Sequence, residues 1–116
     1  MASYLLLLRD QPEDFEGLGP DEMEGIIQKY VDWREQLEAS GKLVGSDKLK
    51  DGDGRVMRRQ DGKVRVTDGP FAETKEVVGG YFIIRAYSYD DAVACCQDHP
   101  HLQYGRSIEL REIDDF

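Results

Sequence analysis

A chain of 116 residues that is 40% hydrophobic and 34% charged is typical of one folded domain and not of a disordered segment. Its net charge of −9 argues against general binding to nucleic acid or to an anionic membrane surface. Cys95 and Cys96 are adjacent, which favours neither a disulfide framework nor a zinc site. We therefore expect a single cytoplasmic domain over residues 1–116, with no bound metal.

The first two predicted elements are a short strand and a long helix. Residues 4–8 are all apolar, a run too short for a helix and typical of a strand buried on both faces. A helix of about 20 residues follows from Pro20, which suits a first turn, to Gly41, which supplies the stop. Tyr30 and Trp33 lie on its apolar face, where aromatic residues more often belong to the core than to a ligand site.

A second strand from Leu43 leads into a predicted hairpin. Residues 55–60 and 63–67 flank an Asp-Gly pair, which is a strong signal for a two-residue turn. Pairing across this turn places Arg58 opposite Arg65, and directly opposed like charges are unfavourable unless something compensates them. The pattern predicts either a solvated basic face or a site for a small anion or an acidic partner.

The last elements are a strand, a short helix and a final strand. Residues 81–84 are all apolar, so a strand here would present apolar side chains to both faces of a sheet, which predicts a central strand. Ser88 begins a sequence that resembles a capping box, and we expect the helix that follows to end at Pro100. Residues 108–113 form the final strand. Apart from the hairpin, this order predicts an α+β, ferredoxin-like βαββαβ fold.

The apolar pattern also predicts association. In a ferredoxin-like sheet the first and third core strands are central, and these are the two segments that are apolar on both faces here. Two helices can cover only one face of the sheet. We therefore expect the sheet of a second copy to cover the other face, which gives a homodimer.

Three sequence blocks carry a family resemblance. Residues 68–76 read DGPFAETKE, Gly79-Gly80-Tyr81 follows, and Tyr104-Gly105 precedes the last strand. The chain resembles the DGPF branch of the YCII-related family. The resemblance implies a dimeric α+β barrel of unassigned activity, often encoded beside an extracytoplasmic-function sigma factor. In the wider family a helix histidine and an aspartate have been regarded as a catalytic pair, and the helix position that corresponds here is Tyr30.

The turn after the hairpin supplies most of the candidate site residues. Asp68 either accepts hydrogen bonds from its own turn or holds a carboxylate at a pocket mouth, where it could act as a general base. Gly69, Pro70 and Phe71 would line this pocket, with Trp33 as a further ligand contact. The Tyr30 hydroxyl needs a partner if it is buried, and Asp68 is the partner we considered.

Two local patterns have alternative interpretations. His99 and His101 flank a proline without a recognised metal-ligand spacing, so we expect solvent-exposed loop histidines. His99 is nevertheless a candidate catalytic residue, because an unperturbed histidine pKa lies near neutrality. The pair Gly79-Gly80 indicates close backbone packing or a bulge at the entry to a strand.

Two functions fit these features. The first is a small-molecule-binding protein that uses acid–base chemistry at a pocket beside the DGPF loop, with Asp68, Tyr30 and His99 as catalytic candidates and no cofactor. The second is a non-enzymatic regulator whose basic face, at Arg58 and Arg65, docks a partner related to a sigma factor.

Overall fold

The computed structural model describes residues 1–11, 17–52, 54–69 and 77–114, and its helices and strands follow the predicted order. The elements are β1 (Ala2–Asp10), α1 (Pro20–Ala39), β2 (Leu43–Lys48), β3 (Arg55–Gln60), β4 (Lys63–Asp68), β5 (Val77–Ala86), α2 (Tyr89–Cys95), α3 (Pro100–Gln103) and β6 (Ser107–Glu112). The α+β, ferredoxin-like prediction is confirmed, with β3 and β4 as the inserted hairpin. Only α3 was not predicted.

The four core strands form one antiparallel sheet in the order β2-β5-β1-β6. Within it Leu6 of β1 lies opposite Phe82 of β5 on one side and Leu110 of β6 on the other. The prediction that the two apolar strands are central is therefore confirmed, because β1 and β5 each have a neighbour on both edges.

The helices pack against one face of this sheet. Every second side chain of β1 and β5 is buried there, in a cluster with Trp33 and Leu37 of α1 and Ala92 of α2. The intervening side chains point to the opposite face and are only partly buried: Leu5, Leu7, Tyr81 and Ile83. Among the described elements, none covers this second face, which we call the open sheet face.

The hairpin forms a separate two-stranded sheet with the predicted register. Arg58 lies opposite Arg65, and the turn residues Asp61 and Gly62 have φ values of 53° and 76°. Positive φ at both central positions is the requirement of a type I′ turn, which an Asp-Gly pair meets readily. Most of the hairpin is exposed, including 67% of Met57, so it extends away from the core.

The short helices differ in part from the prediction. Ser88 does cap α2, because its hydroxyl accepts the backbone N–H of Asp91 at 3.1 Å. However, α2 ends at Cys95, and Pro100 begins α3 instead of stopping α2. Proline is well suited to a first helical position, since its missing N–H would have no partner within the helix.

Gly79 is the residue of a β-bulge, as the glycine pair indicated. The β1–β5 register shifts there: Leu8 lies opposite Gly80 and Arg9 opposite Val78, which leaves Gly79 without a partner on β1. A Cβ atom at Gly79 would overlap the carboxylate of Asp10. The bulge therefore makes room for the Asp10 side chain beside the β5 backbone.

Replacing Gly79 by Ala should destabilise the fold by about 1–3 kcal/mol, the usual cost of overpacking, because the new methyl group displaces Asp10. Urea denaturation monitored by circular dichroism measures this. Gly45→Ala is the matched control, since a Cβ at Gly45 meets nothing within 4 Å and should change stability by less than about 0.5 kcal/mol. Equal effects of the two substitutions would contradict a special packing role for Gly79.

Candidate functional site

A cavity of about 340 Å³ lies between α1 and the end of the sheet that carries the bulge. This volume is at the lower end of the range for small-molecule sites, roughly 300–1,000 Å³. Most of its walls are apolar side chains from α1 and the two central strands: Leu8, Met23, Ile26, Ile27, Val31 and Phe82. A cavity of this size with apolar walls fits one small ring compound.

The polar end of the cavity is built from three separate segments. Tyr30 is supplied by α1, Asp10 by the last residue of β1, and His101 by α3. Met23, Ile26 and Tyr30 share one face of α1 because they are three to seven residues apart, so the apolar wall leads directly to the tyrosine hydroxyl.

The Tyr30 hydroxyl is hydrogen-bonded to His101, with 2.8 Å between the phenol oxygen and Nδ1. The other ring nitrogen, Nε2, is 2.8 Å from the backbone carbonyl oxygen of Arg9. Because a carbonyl only accepts, Nε2 must carry the proton of the neutral ring, and Nδ1 is then an acceptor. Tyr30 therefore donates its hydroxyl proton to His101.

Charged groups lie behind this pair. The nearer oxygen of Asp10 is 3.5 Å from His101 Nε2 and 3.6 Å from Arg106 Nε. The side chain of Arg106 is 9% exposed and that of His101 is 2% exposed, so these charges interact with little solvent between them. The Asp10 carboxylate would stabilise His101 if the ring took up a second proton.

Burial raises the pKa of Tyr30 to about 12, because an ionised phenol would lose its hydration there. The Arg106 guanidinium opposes this increase by its charge and by a hydrogen bond to Tyr30. The phenol is consequently protonated at neutral pH. We call Tyr30, His101 and Asp10 together the Tyr30–His101–Asp10 array.

His99 is buried behind the array, and the prediction of exposed loop histidines is wrong. His99 is 0% exposed and His101 is 2% exposed. The Nδ1 atom of His99 accepts the backbone N–H of His101 at 3.0 Å, and its ring centre is 4.2 Å from that of Trp33. Burial lowers the pKa of His99 to about 3; the neighbouring His101 adds to this decrease and Asp98 opposes it. The ring is therefore neutral at physiological pH.

Trp33 belongs to the core and is not among the residues that line the cavity. It is 6% exposed, its indole N–H donates to a carboxylate oxygen of Asp98 at 3.1 Å, and its ring packs edge-on against Phe82. Its position on the inward face of α1 agrees with the apolar pattern of that helix. The role of Trp33 as a ligand contact stays a prediction.

Asp68 and Gly69 lie away from this cavity at the end of the hairpin. The Asp68 side chain is 94% exposed and is 3.6 Å from the Arg55 guanidinium. Gly69 donates its N–H to the carbonyl of Gly54, and neither Asp68 nor Gly69 lines the cavity. Within this chain the partner of the Tyr30 hydroxyl is His101, not Asp68. A catalytic role for Asp68 stays a prediction.

The remaining predicted site residues are two arginines of the hairpin and two residues of the DGPF loop. Arg58 and Arg65 are exposed and lie opposite each other on the hairpin, and their roles also stay predictions. Pro70 and Phe71 lie outside the described residues. The site residues that sequence reasoning did not select are His101, Asp10 and Arg106. His101 was considered only as an exposed loop histidine, and the signals for the other two were a polar end to an apolar strand and a position next to Gly105.

The described residues show no helix that is long and apolar enough to cross a membrane. In the same ranges, no three or more His, Cys, Asp or Glu side chains are grouped as a metal ion would require.

The fold and the cavity define an α+β protein with a Tyr–His–Asp array, of which the histidine is buried, at the end of a largely apolar pocket. The YCII-related domain family matches residues 2–116, and the chain belongs to this family. Among solved structures it is similar to 5-chloro-2-hydroxyhydroquinone dehydrochlorinase (TftG) from Burkholderia phenoliruptrix AC1100, in complex with 2,5-dihydroxybenzoquinone. The two share 15% identity and a TM-score of 0.56, over 98% of this chain and 95% of the other, which shows a shared fold. No curated protein matches the sequence.

Stability should decrease as the pH falls below about 6.5, because unfolded His99 takes up a proton there while folded His99, with a pKa of about 3, does not. Between pH 7.5 and pH 5 this one group should remove about 2 kcal/mol from the free energy of unfolding. Urea denaturation at both pH values measures the loss. His99→Phe, which cannot titrate, should lose about 2 kcal/mol less than the wild type. Equal losses in the two proteins would show that His99 does not titrate differently on unfolding.

Proposed function

We propose that this chain binds a small, flat organic molecule in the cavity and transfers a proton through Tyr30 and His101 without a cofactor. The observation that carries the proposal is Tyr30, a residue of the cavity wall whose hydroxyl donates to Nδ1 of the buried His101 at 2.8 Å. A hydroxyl in that position connects a ligand to a base that has little contact with water.

The chemical class of the ligand follows from the walls of the cavity. Apolar side chains cover its length, so the body of the ligand is a hydrocarbon ring or chain. Tyr30 and His101 meet one end of it, where an oxygen or an acidic C–H of the ligand would lie. TftG is a dehydrochlorinase whose structure is a complex with 2,5-dihydroxybenzoquinone, and this similarity in fold suggests a hydroxylated ring compound as the first ligand to test.

The proton transfer balances within the array. The ligand gives a proton to the Tyr30 oxygen while Tyr30 passes its own hydroxyl proton to Nδ1 of His101. The ligand is left with a negative charge and the His101 ring with a positive charge. Asp10 lies 3.5 Å from the other ring nitrogen and stabilises that positive ring. Arg34 and Lys48 also line the cavity and would favour the anionic ligand, whereas the Asp47 carboxylate, which lines the cavity too, would oppose it.

The relay avoids an ionised tyrosine. With a pKa of about 12, Tyr30 alone would be a weak source of phenolate at neutral pH. Because it gives up one proton as it receives another, its oxygen stays close to neutral throughout the transfer. The same steps in reverse return the proton, so the array supports an isomerisation or the first step of an elimination.

Tyr30→Phe should greatly slow the proton transfer and keep the fold, because it removes one hydroxyl and retains the ring. The test uses 2,5-dihydroxybenzoquinone and a panel of hydroxylated quinones and phenols. Thermal shift detects binding, and deuterium uptake from D₂O by NMR detects proton exchange in the bound compound. We expect exchange to fall on the order of 100-fold, the usual contribution of a positioned acid–base group. Binding should weaken by no more than about tenfold.

Tyr87→Phe is the matched control, since this tyrosine is 78% exposed and does not line the cavity. It should bind and exchange like the wild type. Full exchange activity in Tyr30→Phe, or a panel in which no compound stabilises the wild type, would contradict the proposed function.

We also propose that two copies associate through the open sheet face. Leu5, Leu7 and Ile83 are only partly buried there, although they belong to the two central strands. Covering such side chains is the main driving force for association. Sedimentation of the wild-type chain would give a mass of twice 13.2 kDa if this is correct.

A second candidate function rests on the β3–β4 hairpin, which could dock an acidic protein related to a sigma factor. Residues 55–68 contain five basic and two acidic residues, although the whole chain is strongly acidic. The hairpin is exposed and places Arg58 opposite Arg65. This concentration of positive charge supports electrostatic attraction to an acidic surface.

Replacing Arg58 and Arg65 together by Ser should weaken binding of polyglutamate, used as an acidic probe, without changing ring-compound binding in the cavity. Isothermal titration at low and high salt measures the effect, which salt should reduce in the wild type. Tyr30→Phe should slow proton exchange in the cavity and leave polyglutamate binding unchanged, which separates the two candidate functions. Unchanged polyglutamate binding in the double variant would rule out the hairpin as the docking surface.

A further inference from the structure

His99 does not line the cavity, but it contacts the backbone of a residue that does. Its ring is 0% exposed and is held between aromatic side chains, with Trp33 at 4.2 Å and Phe82 at 5.3 Å between ring centres. From this position its Nδ1 accepts the backbone N–H of His101 at 3.0 Å. One hydrogen bond thus joins the core to the cavity wall.

This hydrogen bond caps the short helix α3. Four residues make barely one turn, which is too short to be stable by itself. Pro100 occupies the first position and has no N–H, so the N–H of His101 is the first that requires an acceptor. His99 supplies that acceptor as the N-cap residue. Ser, Thr, Asp and Asn are the usual caps, which makes a histidine cap unusual.

The histidine cap leaves one group without a partner. Because Nδ1 accepts, the proton of the neutral His99 ring lies on Nε2, and this atom is buried with no hydrogen-bond partner among the described residues. An unsatisfied buried donor is costly and is therefore rare in folded proteins. Ser or Asp would cap α3 without that cost but would not fill the space beside Trp33. The ring thus combines capping and packing in one side chain.

We propose that His99 is a positioning residue for the Tyr30–His101–Asp10 array: by capping α3 it fixes the backbone of His101 and so directs the His101 ring toward Tyr30. Its importance for chemistry rests on the proposed function, but the positioning itself does not. His99 is not among the residues that line the cavity, so in this role it acts through His101. It determines whether Nδ1 of His101 can accept from Tyr30.

Two substitutions of His99 separate its capping function from its packing function. His99→Phe keeps an aromatic ring beside Trp33 and removes the acceptor, whereas His99→Asn keeps a capping oxygen and removes the ring. Nitrogen-15 NMR of the imidazole rings reports the tautomer of His101, and hydrogen exchange reports the protection of its backbone amide. Leu102→Ala is the control within α3, since Leu102 is 42% exposed and makes no cap.

In the wild type we expect a single His101 tautomer with its proton on Nε2. In His99→Phe the two tautomers should both be populated, and the His101 amide should exchange about fivefold faster or more, the usual effect of losing a cap. His99→Asn should restore much of the amide protection, and Leu102→Ala should leave the tautomer unchanged. A single unchanged tautomer with an unchanged exchange rate in His99→Phe would overturn the proposal.

The wild type alone also decides the question if a variant fails to fold. A proton on Nδ1 of His99, or rapid exchange of the His101 amide, would overturn the proposal. A proton on Nε2 of His99 together with slow exchange of the His101 amide would support it. These measurements need no ligand, so they are independent of the cavity experiment. Normal proton exchange in Tyr30→Phe would end the proposed function and leave the positioning role intact.

Discussion

The candidate site depends on one buried side chain, His101, which joins three parts of the chain that are distant in sequence. Its Nδ1 meets Tyr30 of α1, 71 residues earlier, and its Nε2 meets the Arg9 carbonyl of β1, 92 residues earlier. Both ring nitrogens are used, so the orientation and the tautomer of the ring are fixed together. Without this contact, the Tyr30 hydroxyl would lose the imidazole that accepts its proton.

The fold was predictable because its signals are local. The apolar run of residues 4–8, the spacing of the α1 face and the Asp-Gly turn each act within a few residues, and all three are confirmed. A strand whose side chains are apolar on both faces is also expected at the centre of the sheet, since only the central strands of this fold need both faces covered. The register of the hairpin followed from its turn in the same way.

The site was only partly predictable because its signals are not local. Tyr30 was selected from the helix pattern, but its partner is determined by how α3 packs against β1, which no sequence spacing encodes. The histidines were expected to be exposed, since a polar loop beside a proline usually is. Instead, Trp33 and Phe82 pack around His99 and bury it. The burial of this histidine is therefore determined by tertiary packing, which the local sequence does not encode.

In the proposed function, the tyrosine on α1 gives this chain a different route to histidine–carboxylate chemistry. The family resemblance places a histidine at that helix position, paired with an aspartate. Here the helix supplies a hydroxyl, and the histidine approaches from α3 with Asp10 beyond it. The base, His101, is therefore separated from a ligand by the Tyr30 hydroxyl and lies deeper in the protein than a histidine on α1 would. A ligand proton then reaches His101 only as Tyr30 gives up its own, which ties proton transfer to the geometry that the capped α3 turn maintains.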